Sequence, residues 1–295
     1  MKKSSKNSLT VSIVNFNSGD FLIRCLDSLE KVKDEANLDI WVVDNASSDD
    51  SLQRAKAKFP KVQFIENSQN LGFGRAHNEV LENLKTEYVL IFNPDTKINA
   101  GVLSYMTRYM ERNPDVGASS CKLVLDNGRM DWASHRGFPT PYASFRYYFL
   151  GNDSLYHLTE KPMDKPHEVD AISGSFFLTR KSVLDKVGFF DEDYFMYGED
   201  IDLCFRIKKA GFKVMYIPEV FITHYKGVSS GLKSHSQGIT TADINTKQRS
   251  LDAFYSAMKI FYKKNLRKNY PLLTNWLVNL GINIKWWMAK RKLTV

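Results

Sequence analysis

The chain has 295 residues, of which 43% are hydrophobic and 25% are charged. These proportions exclude disordered, collagen-like and disulfide-stapled proteins, because the apolar fraction is sufficient for a core and no residue class is extreme. The cysteines, Cys25, Cys121 and Cys204, form no CxxC pair, so they predict a reducing compartment rather than a zinc site or a disulfide framework. The lysines of residues 1–8 lead directly into an alternating segment, and no signal peptide is predicted there.

The formal net charge of +8 is concentrated at the C-terminal end of the sequence. Residues 251–295 contain nine Lys or Arg residues and one acid, Asp252, which leaves the residues before them close to neutral. The cations are thus confined to a tail that also carries an apolar segment, and the domain before it has no excess of positive charge with which to bind nucleic acid. Nucleic acid is therefore not an expected partner.

Residues 9–93 alternate between short apolar runs and longer amphipathic ones. The runs that predict strands are Leu9–Asn15, Ile40–Asp44, Val62–Glu66 and Tyr88–Asn93. The spacings that predict helices are Asp20–Lys33, Asp49–Phe59 and Gly74–Leu84. This order implies parallel strands joined by right-handed crossovers, with helices on both faces of the sheet. Ligands of such open sheets bind beyond the carboxyl ends of the strands.

A second block of predicted structure extends from about residue 99 to residue 225. It begins with helical spacing at Val102–Arg112 and continues into a turn-rich, aromatic excursion over residues 127–166. The elements predicted after the excursion are the strands Ala171–Thr179 and Lys213–Ile217 and the helices Lys181–Lys186 and Asp200–Lys209. Residues 229–250 begin as a polar segment with Gly and Ser and are predicted to form a flexible loop.

Two polar segments follow predicted strands in the first block. In DNASSD at 44–49, Asp44 and Asn45 could hydrogen-bond the edge of a base, but the segment by itself favours a plain strand-to-helix turn with a serine cap. In NLGFGRAHN at 70–78, two glycines and Arg75 at a helix start permit close approach to a phosphate. This second segment lacks both the GxGxxG and the phosphate-loop spacings, so by itself it favours a structural role.

Three further segments carry residues with metal-binding or acid–base chemistry. In Asn93-Pro94-Asp95, the carboxylate at a strand end could bind a hard divalent cation, and the alternative is an ordinary turn. In GEDIDLCFR at 198–206, acids crowd the first turn of a helix, where the helix dipole alone would favour them. His224 is a lone histidine that would need an acidic neighbour to act as a metal ligand.

The order of these segments along the chain is more specific than any one of them. The set VSIVNFN, VVDNASSD, NLGFGRAHN, FNPD, SGSFF, GEDIDLCFR and ITH resembles the inverting, GT-A-fold family 2 glycosyltransferases, particularly their bacterial rhamnosyltransferase-like branch. The resemblance covers residues 9–226. It implies an α/β catalytic domain over residues 1–228, with a mostly parallel central sheet flanked by helices and a basic, aromatic C-terminal helical extension.

The resemblance also implies roles for individual residues. It implies a donor-nucleotide site formed by Asn15, Asp44, Asn45, Gly72, Arg75, Asn78, Asn93 and Asp95. It implies an acceptor side formed by Ser173, Gly174, Ser175, Glu199 and Asp202. Asp200 matches the catalytic base, and Asp95 with His224 matches the ligands of a divalent cation, Mg²⁺ or Mn²⁺. Asn93 stands where the family's DxD element has its first acid, so this site has one carboxylate fewer.

Similar enzymes suggest the substrates. We expect dTDP-L-rhamnose as the donor and a saccharide acceptor linked to polyprenyl diphosphate, in cell-surface polysaccharide synthesis. A UDP-hexose donor is the alternative within the same fold. A sugar nucleotidyltransferase is another alternative, but it would carry a Gly- and Lys/Arg-rich loop directly after the first strand, where this chain has residues 14–19, VNFNSG. A membrane-bound adaptor without activity is the non-enzymatic alternative, suggested by Asn93.

The C-terminal segment, residues 251–295, combines the cations with aromatic residues. Its apolar run at 271–284 is shorter than the roughly 20 residues that a membrane-spanning helix needs. Amphipathic helices at the surface of an anionic membrane fit this composition, which predicts a cytoplasmic protein bound peripherally to the inner face of the cell membrane. The alternatives are a helical hairpin packed on the catalytic domain and a contact between the two chains of a homodimer.

Overall fold

The computed structural model describes residues 8–225 and 243–293 of the chain. Its strands are β1 (Ser8–Asn15), β2 (Asn37–Asp44), β3 (Gln63–Glu66), β4 (Tyr88–Phe92), β5 (Thr96–Lys97), β6 (Val116–Leu125), β7 (His167–Glu168), β8 (Phe176–Arg180) and β9 (Lys213–His224). Its α-helices are α1 (Asp20–Lys31), α2 (Ser51–Lys58), α3 (Phe73–Leu81), α4 (Val102–Arg112), α5 (Pro141–Phe149), α6 (Ser154–His157), α7 (Lys181–Val187), α8 (Glu199–Lys209), α9 (Ile244–Phe261) and α10 (Leu272–Leu293).

These strands form one mixed sheet in the order β3-β2-β1-β4-β8-β6-β9-β5, with β7 paired to β9. Strands β1 to β4 are parallel, as the alternation of strands and helices predicts. Strand β8 then inserts antiparallel between β4 and β6, and β6 pairs with β9 in parallel. The short strand β5 closes the far edge by pairing antiparallel with β9, which aligns Thr96 with His224.

The sheet separates two apolar layers. Strand β4 shows why, because Tyr88, Leu90 and Phe92 point into one layer while Val89 and Ile91 point into the other. Helices α1 and α4 supply the first layer, and helices α3, α7 and α8 supply the second. All three cysteines are buried as free thiols in these layers. The structure is therefore an α/β sheet covered by helices on both faces.

Strand β6 is a central strand that the sequence pattern does not reveal. Its core carries Gly117, Ser119 and Ser120 in place of a continuous apolar run, and all three are buried. A Cβ atom at Gly117 would lie 2.7 Å from side-chain atoms of Ile207 and Phe212, so helix α8 packs directly on the strand backbone. Small residues here reflect close packing, which removes the periodicity that sequence reasoning depends on.

Two other strands differ from their predicted bounds. The strand predicted at Ala171–Thr179 forms only from Phe176, because residues 174–175 form a turn. Strand β9 continues through His224, beyond the predicted end at Ile217. It does so through a register shift, since Cys121 pairs with Ile217 whereas the next residue of β6 pairs with Phe221.

The C-terminal segment begins its helical structure earlier than predicted. Helix α9 starts at Ile244, inside the predicted loop 229–250, because Asp243 caps it by accepting a 2.7 Å bond from the Thr246 amide. The part of that predicted loop within residues 226–242 lies outside the described residues. Further along α9, Phe261 packs against Phe205 of α8, so this helix lies on the catalytic domain.

Helix α10 is fixed to α9 but keeps much of its apolar surface exposed. The Trp286 indole donates a 2.7 Å bond to Asp252, and the Tyr262 hydroxyl donates a 2.5 Å bond to Asn275. Its largely exposed apolar side chains are Leu272, Leu273, Trp276, Leu277, Leu280, Ile284, Trp287 and Met288. Within residues 8–225 and 243–293, no helix has both the length and the apolar character needed to cross a membrane.

Candidate active site

A cavity of about 1310 Å³ opens at the carboxyl ends of β1, β2 and β4, where sheets of this type bind ligands. The predicted site residues that line it are Asn45, Gly72, Asn93, Asp95, Ser173, Gly174, Ser175, Glu199, Asp200 and His224. The predicted residues outside its lining are Asn15, Asp44, Arg75, Asn78 and Asp202. The structure thus brings most of the predicted site residues into one cavity, although these residues come from distant parts of the chain.

Asp95, Asp131 and His224 form a buried acidic and imidazole cluster on one wall of the cavity. The antiparallel pairing of β5 with β9 brings Asp95 to His224, and the Tyr225 amide donates a 2.8 Å bond to the Asp95 carbonyl. The Nε2 atom of His224 lies 3.4 Å from Oδ1 of Asp95, and its Nδ1 atom lies 2.8 Å from Oδ2 of Asp131. Asp131 was not among the residues predicted from sequence.

The two carboxylates determine the charge of the histidine. Burial alone would lower the pKa of His224, but Asp95 and Asp131 outweigh burial and raise the pKa to about 9. Oδ1 of Asp95 is itself buried and has no hydrogen bond of acceptable geometry. A buried carboxylate oxygen that lacks such a bond is poorly solvated, so it favours a cation nearby.

This cluster fits a divalent cation. Asp95 offers a carboxylate oxygen, and Nε2 of His224 can be a ligand once a cation displaces its proton, since ligating histidines are neutral. Asp131 holds the opposite side of the ring, as outer partners of metal-bound histidines do. Among residues 8–225 and 243–293, no three His, Cys, Asp or Glu side chains are grouped closely enough to hold a metal unaided. A cation held here would need further ligands from a diphosphate or from water.

The segment Ser173-Gly174-Ser175 joins this cluster to Asp200. The Ser175 hydroxyl lies 3.4 Å from Nε2 of His224 and 3.0 Å from the Ser173 hydroxyl. The Gly174 amide donates a 3.3 Å bond to Oδ2 of Asp200. A Cβ atom at Gly174 would lie 2.7 Å from the Phe73 ring, so the segment needs glycine at its centre.

Helix α8 begins at the cavity wall, and its acids separate onto different sides. Asp200 faces the cavity and accepts a 2.8 Å bond from the Ile201 amide. Burial and then the Asp200 carboxylate raise the pKa of Glu199 well above its usual value, and Oε2 of Glu199 has no hydrogen-bond partner. Asp202 points away from the cavity, because residues two apart on a helix lie on opposite sides.

Asp202 is instead part of the packing between α8 and the C-terminal segment. Its carboxylate accepts a 2.8 Å bond from Nε of Arg206 and a 2.7 Å bond from the Asn265 amide group. Arg206 in turn donates to the carbonyls of Val187 and Phe189, at 2.7 and 2.8 Å. In this structure Asp202 therefore anchors α8 rather than lining the cavity.

Arg136 is a cation of the cavity that the sequence pattern does not single out. Its backbone is fixed by two hydrogen bonds to Ala171, at 3.2 and 2.9 Å, and its side chain lines the cavity. Burial disfavours the charged guanidinium, but Tyr156, Asp200 and Asp131 outweigh that effect. The pKa of Arg136 is therefore raised above its usual value. The only sequence signal is its place in the excursion 127–166.

Asn15 and Asp44 lie behind the cavity wall in a closed hydrogen-bond network. The Asn15 amide group donates to Asp44 at 2.7 Å, to Ser51 at 2.9 Å and to Ser47 at 3.1 Å. Asp44 also accepts bonds from the amide and hydroxyl of Ser47, at 2.9 and 2.7 Å. Asn45 does line the cavity, but its amide group donates a 2.9 Å bond to the Gly72 carbonyl. The network shapes the loop between β2 and α2.

Asn78 and Arg75 of helix α3 contact residues 190–192 and do not line the cavity. The Asn78 side chain donates to the Phe190 carbonyl at 2.9 Å and accepts from the Phe190 amide at 3.0 Å. Arg75 is exposed and lies 3.7 Å from Glu192. Gly72 has a φ of +92°, and a Cβ atom there would lie 2.2 Å from the Phe195 carbonyl oxygen, so glycine is required at this turn.

The model of the family described as Glycosyltransferase like family 2 matches residues 6–239. The chain belongs to this family. The match includes every site residue predicted from the sequence, together with Asp131 and Arg136. The protein is therefore a glycosyltransferase, as the resemblance predicts.

Curated relatives of this glycosyltransferase include two rhamnosyltransferases. It is 31% identical over 242 residues to the N-acetylglucosaminyl-diphospho-decaprenol L-rhamnosyltransferase of Mycobacterium tuberculosis, an alignment that covers 76% of this chain and 78% of the relative. It is 28% identical over 222 residues to rhamnosyltransferase WbbL of Escherichia coli, over 73% of this chain and 82% of the relative. The alignments extend over most of both proteins.

Solved structures show that this glycosyltransferase has the GT-A fold. GalNAc-T7, solved with UDP, GalNAc and Mn²⁺, superposes with a TM-score of 0.59 at 14% identity, over 97% of this chain and 56% of that one. The mannosyltransferase PcManGT of Pyrobaculum calidifontis, solved with GDP-Man and Mn²⁺, gives 0.55 at 16% identity, over 99% and 86%. Both structures hold Mn²⁺ in their own sites.

Proposed function

We propose that this glycosyltransferase transfers L-rhamnose from dTDP-L-rhamnose to a hydroxyl of a lipid-linked saccharide, with inversion at the anomeric carbon. The relatives' names support the sugar and the acceptor class, because one is an L-rhamnosyltransferase that acts on a diphospho-decaprenol saccharide. Such acceptors belong to the synthesis of cell-surface polysaccharide. A UDP-hexose donor is the competing outcome of the experiment below.

One observation carries the proposal. The segment Ser173-Gly174-Ser175 contacts His224 at one end and Asp200 in its middle, so the candidate base and the candidate cation ligands are held by the same three residues. Catalysis by inversion needs this proximity, because the acceptor oxygen attacks on one side of the anomeric carbon while the diphosphate departs on the other. The cavity volume of about 1310 Å³ exceeds that of a typical single-ligand pocket, so donor and acceptor can bind together.

Asp200 acts as the general base in this mechanism. Its carboxylate takes the proton of the acceptor hydroxyl as that oxygen forms a bond to the anomeric carbon. The bond between the anomeric carbon and the diphosphate oxygen breaks in the same step, and the electron pair leaves with the nucleoside diphosphate. The Gly174 amide, 3.3 Å from Oδ2, keeps the carboxylate oriented toward the cavity.

Asp95 and His224 are the proposed ligands of Mg²⁺ or Mn²⁺, with Asn93 beside them. A bound divalent cation would neutralise the negative charge that develops on the diphosphate. Asn93 donates a 3.2 Å bond to the Ser175 hydroxyl, so it supports the segment that borders the cation site. Asn45 and Gly72 also line the cavity, and we assign them to the border of the nucleoside.

The proposed position in the cell is the inner face of the membrane. The support is the exposed apolar surface of α10 next to the basic last turn formed by Lys290, Arg291 and Lys292. Apolar and aromatic side chains beside Lys and Arg favour the interface of an anionic bilayer. A lipid-linked acceptor would be presented at that surface.

The test is a donor panel with purified protein. Release of nucleotide is measured from dTDP-L-rhamnose, UDP-glucose and UDP-galactose with Mg²⁺, Mn²⁺ or EDTA, beside the variants Asp200→Asn and Asp95→Ala. We expect release from the rhamnose donor that EDTA suppresses and that both variants lose. Turnover of a UDP-hexose without turnover of dTDP-L-rhamnose would overturn the donor assignment. Unchanged release in Asp200→Asn with a lipid-linked acceptor present would overturn the base assignment.

A further inference from the structure

The cavity continues past the catalytic residues into an apolar groove between helices α5, α9 and α10. We call this extension the α5–α10 groove. The side chains that form it include Tyr148 and Phe149 of α5, Phe254 and Met258 of α9, and Val278 and Ile282 of α10. The groove and the catalytic residues belong to one continuous space. A ligand in the groove can therefore also reach Asp200.

Helix α10 presents apolar residues to the groove and to solvent on opposite faces. Val278, Ile282 and Lys285 follow the helical repeat along the groove. Leu273, Leu280 and Trp287 repeat along the opposite face and are exposed. Leu277 lies between the two faces, lines the groove and is exposed. It connects the groove lining to an exposed apolar surface, which is unusual for a surface that faces only water.

Helix α5 forms the opposite wall and is also apolar toward solvent. Phe145 and Phe149 are exposed and stack on each other, with ring centroids 5.6 Å apart. Lys285 connects the walls by donating a 3.4 Å bond to the Tyr148 carbonyl. The nearest atom to a Cβ built on Gly281 is in the Phe149 ring, at 4.0 Å. The missing side chain at Gly281 leaves open space between the two helices.

We propose that the α5–α10 groove binds the isoprenoid chain of the acceptor, so that the lipid lies between α5 and α10 while its sugar lies at Asp200. The inference rests on the proposed function and assigns the part of the same site that takes the lipid. An occupant of this space must be polar at the end near Asp200 and apolar along the groove. A polyprenyl-diphosphate saccharide has this order of groups.

The charge of the cavity agrees with that occupant. Arg136 lines the space on the Asp200 side of the groove and is held there by its backbone bonds to Ala171. A guanidinium binds a diphosphate in a bidentate manner. The sugar would then lie beyond Arg136 toward Asp200, and the isoprenoid would extend the other way, between the helices.

The first test locates the lipid directly and needs no turnover. The full chain is irradiated with a benzophenone-bearing isoprenyl diphosphate, and the labelled peptides are identified by mass spectrometry. We expect label in the peptides that contain Phe149 and Ile282, and we expect unlabelled polyprenyl diphosphate to prevent it. Label elsewhere, or label that the competitor does not reduce, would overturn the proposal.

The second test blocks the groove. Gly281→Leu places a side chain in the open space, and Gly281→Ala is the matched control because its Cβ meets Phe149 only at van der Waals distance. Both substitutions favour the helix over glycine, so α10 is retained. We expect Gly281→Leu to lower kcat/KM for a long-chain acceptor about tenfold or more, the effect of losing roughly two buried methylene groups. Equal loss with long and short acceptors would overturn the proposal.

The two tests separate this inference from the proposed function. If the donor assignment fails, the photolabelling result still decides whether the groove holds an isoprenoid. If Gly281→Leu releases nucleotide from the donor at the rate of Gly281→Ala but shows no chain-length effect, the enzyme assignment stands and the groove assignment fails. The exposed apolar surface could instead dock on membranes without binding the acceptor lipid. In that case the protein would bind lipid vesicles that lack acceptor, as measured by light scattering, and the unlabelled competitor would not reduce photolabelling.

Discussion

Two polar regions of this glycosyltransferase look alike in sequence and differ in structure. Around Asn15 and Asp44, each polar side chain is bonded to its neighbours at the ends of β1 and β2. Around Asp95 and Glu199, one oxygen of each carboxylate is buried and makes no hydrogen bond, although that of Asp95 lies 3.4 Å from Nε2 of His224. Buried polar atoms normally have hydrogen-bond partners. The second region therefore has oxygen atoms available to a ligand, whereas the hydrogen bonds of the first region stabilise the fold. Polar residues at a strand end therefore indicate a ligand site only where some of their donors or acceptors make no hydrogen bond within the protein.

The largest effect that tests this comparison is expected at Asp200. Asp200→Asn should lower sugar transfer by about 100- to 10,000-fold, because the amide cannot accept the proton of the acceptor hydroxyl. Its melting temperature should stay close to that of the wild type, since the carboxylate makes few protein contacts. Steady-state transfer assays and thermal unfolding measure the two effects.

Asp202→Asn is the matched control on the same helix. Its carboxylate is bonded to Arg206 and Asn265, so the loss should appear in stability, by about 1–3 kcal/mol, with transfer by the folded protein retained. If Asp202→Asn had the stability of the wild type but failed to transfer sugar, this division of roles between the two acids would be wrong.

The next effect concerns Asp131, which contacts His224 from behind. Asp131→Asn should weaken the binding of Mn²⁺ by about 10- to 100-fold, because the outer partner of a ligating histidine fixes its orientation and basicity. Titration calorimetry with Mn²⁺ in the presence of a nucleoside diphosphate measures it, and Asp126→Asn, a nearby exposed acid, is the control. Unchanged affinity in Asp131→Asn would show that the histidine is not part of a cation site.

A smaller effect is expected in the closed network. Asn15→Ala should cost about 1–3 kcal/mol of unfolding free energy, because it leaves buried partners without their donor. The KM for the donor should change little in the folded protein. Urea unfolding and donor kinetics distinguish the two, with the exposed Asn83→Ala as control. A large rise in KM without loss of stability would show that Asn15 binds the nucleotide directly, as the family resemblance implies.

The smallest effect is a dependence of stability on pH. Burial lowers the pKa of His77 to about 3, so between pH 6.5 and that value the unfolded chain takes up a proton that the folded chain does not. Stability should therefore fall as the pH falls below 6.5, by about 1 kcal/mol from His77 at pH 5.5. Urea unfolding at both pH values measures the slope, and His77→Gln should make it shallower. An equal slope in the variant would assign the effect to other groups.

The first half of the fold follows from the sequence because its strands and helices have clear periods. The alternation that predicts β1 to β4 is the physical cause of their packing, since apolar residues on both faces of a parallel sheet must be covered. Strand β6 cannot be predicted in this way, because Gly117 lets α8 pack on the strand backbone and the two buried serines further interrupt the apolar pattern. The periodicity of apolar residues reveals strands whose large side chains are buried. It does not reveal a strand whose backbone is itself in contact with a helix.

The site shows a similar limit. Asp95, Asp200 and His224 end or begin regular elements, so their order along the chain is recognisable in the amino-acid sequence. Asp131 and Arg136 lie in the turn-rich excursion, and their contacts depend on how that segment folds back over the sheet. Long-range contacts of this kind have no local sequence pattern. The separation of Asp202 from its neighbouring acids likewise depends on its bonds to Arg206 and Asn265, which no spacing predicts.

Strand β5 has two residues, and its pairing with β9 is the last connection at that edge of the sheet. A pairing so short opens by local fluctuation more readily than the central strands do. Asp95 precedes β5 and His224 ends β9, so a ligand that touches both would keep this edge closed. Amide hydrogen exchange at Tyr225, which donates to the Asp95 carbonyl, would then slow when the donor and a cation bind. Hydrogen exchange at this edge of the sheet would then show whether the site is occupied, without any sugar transfer.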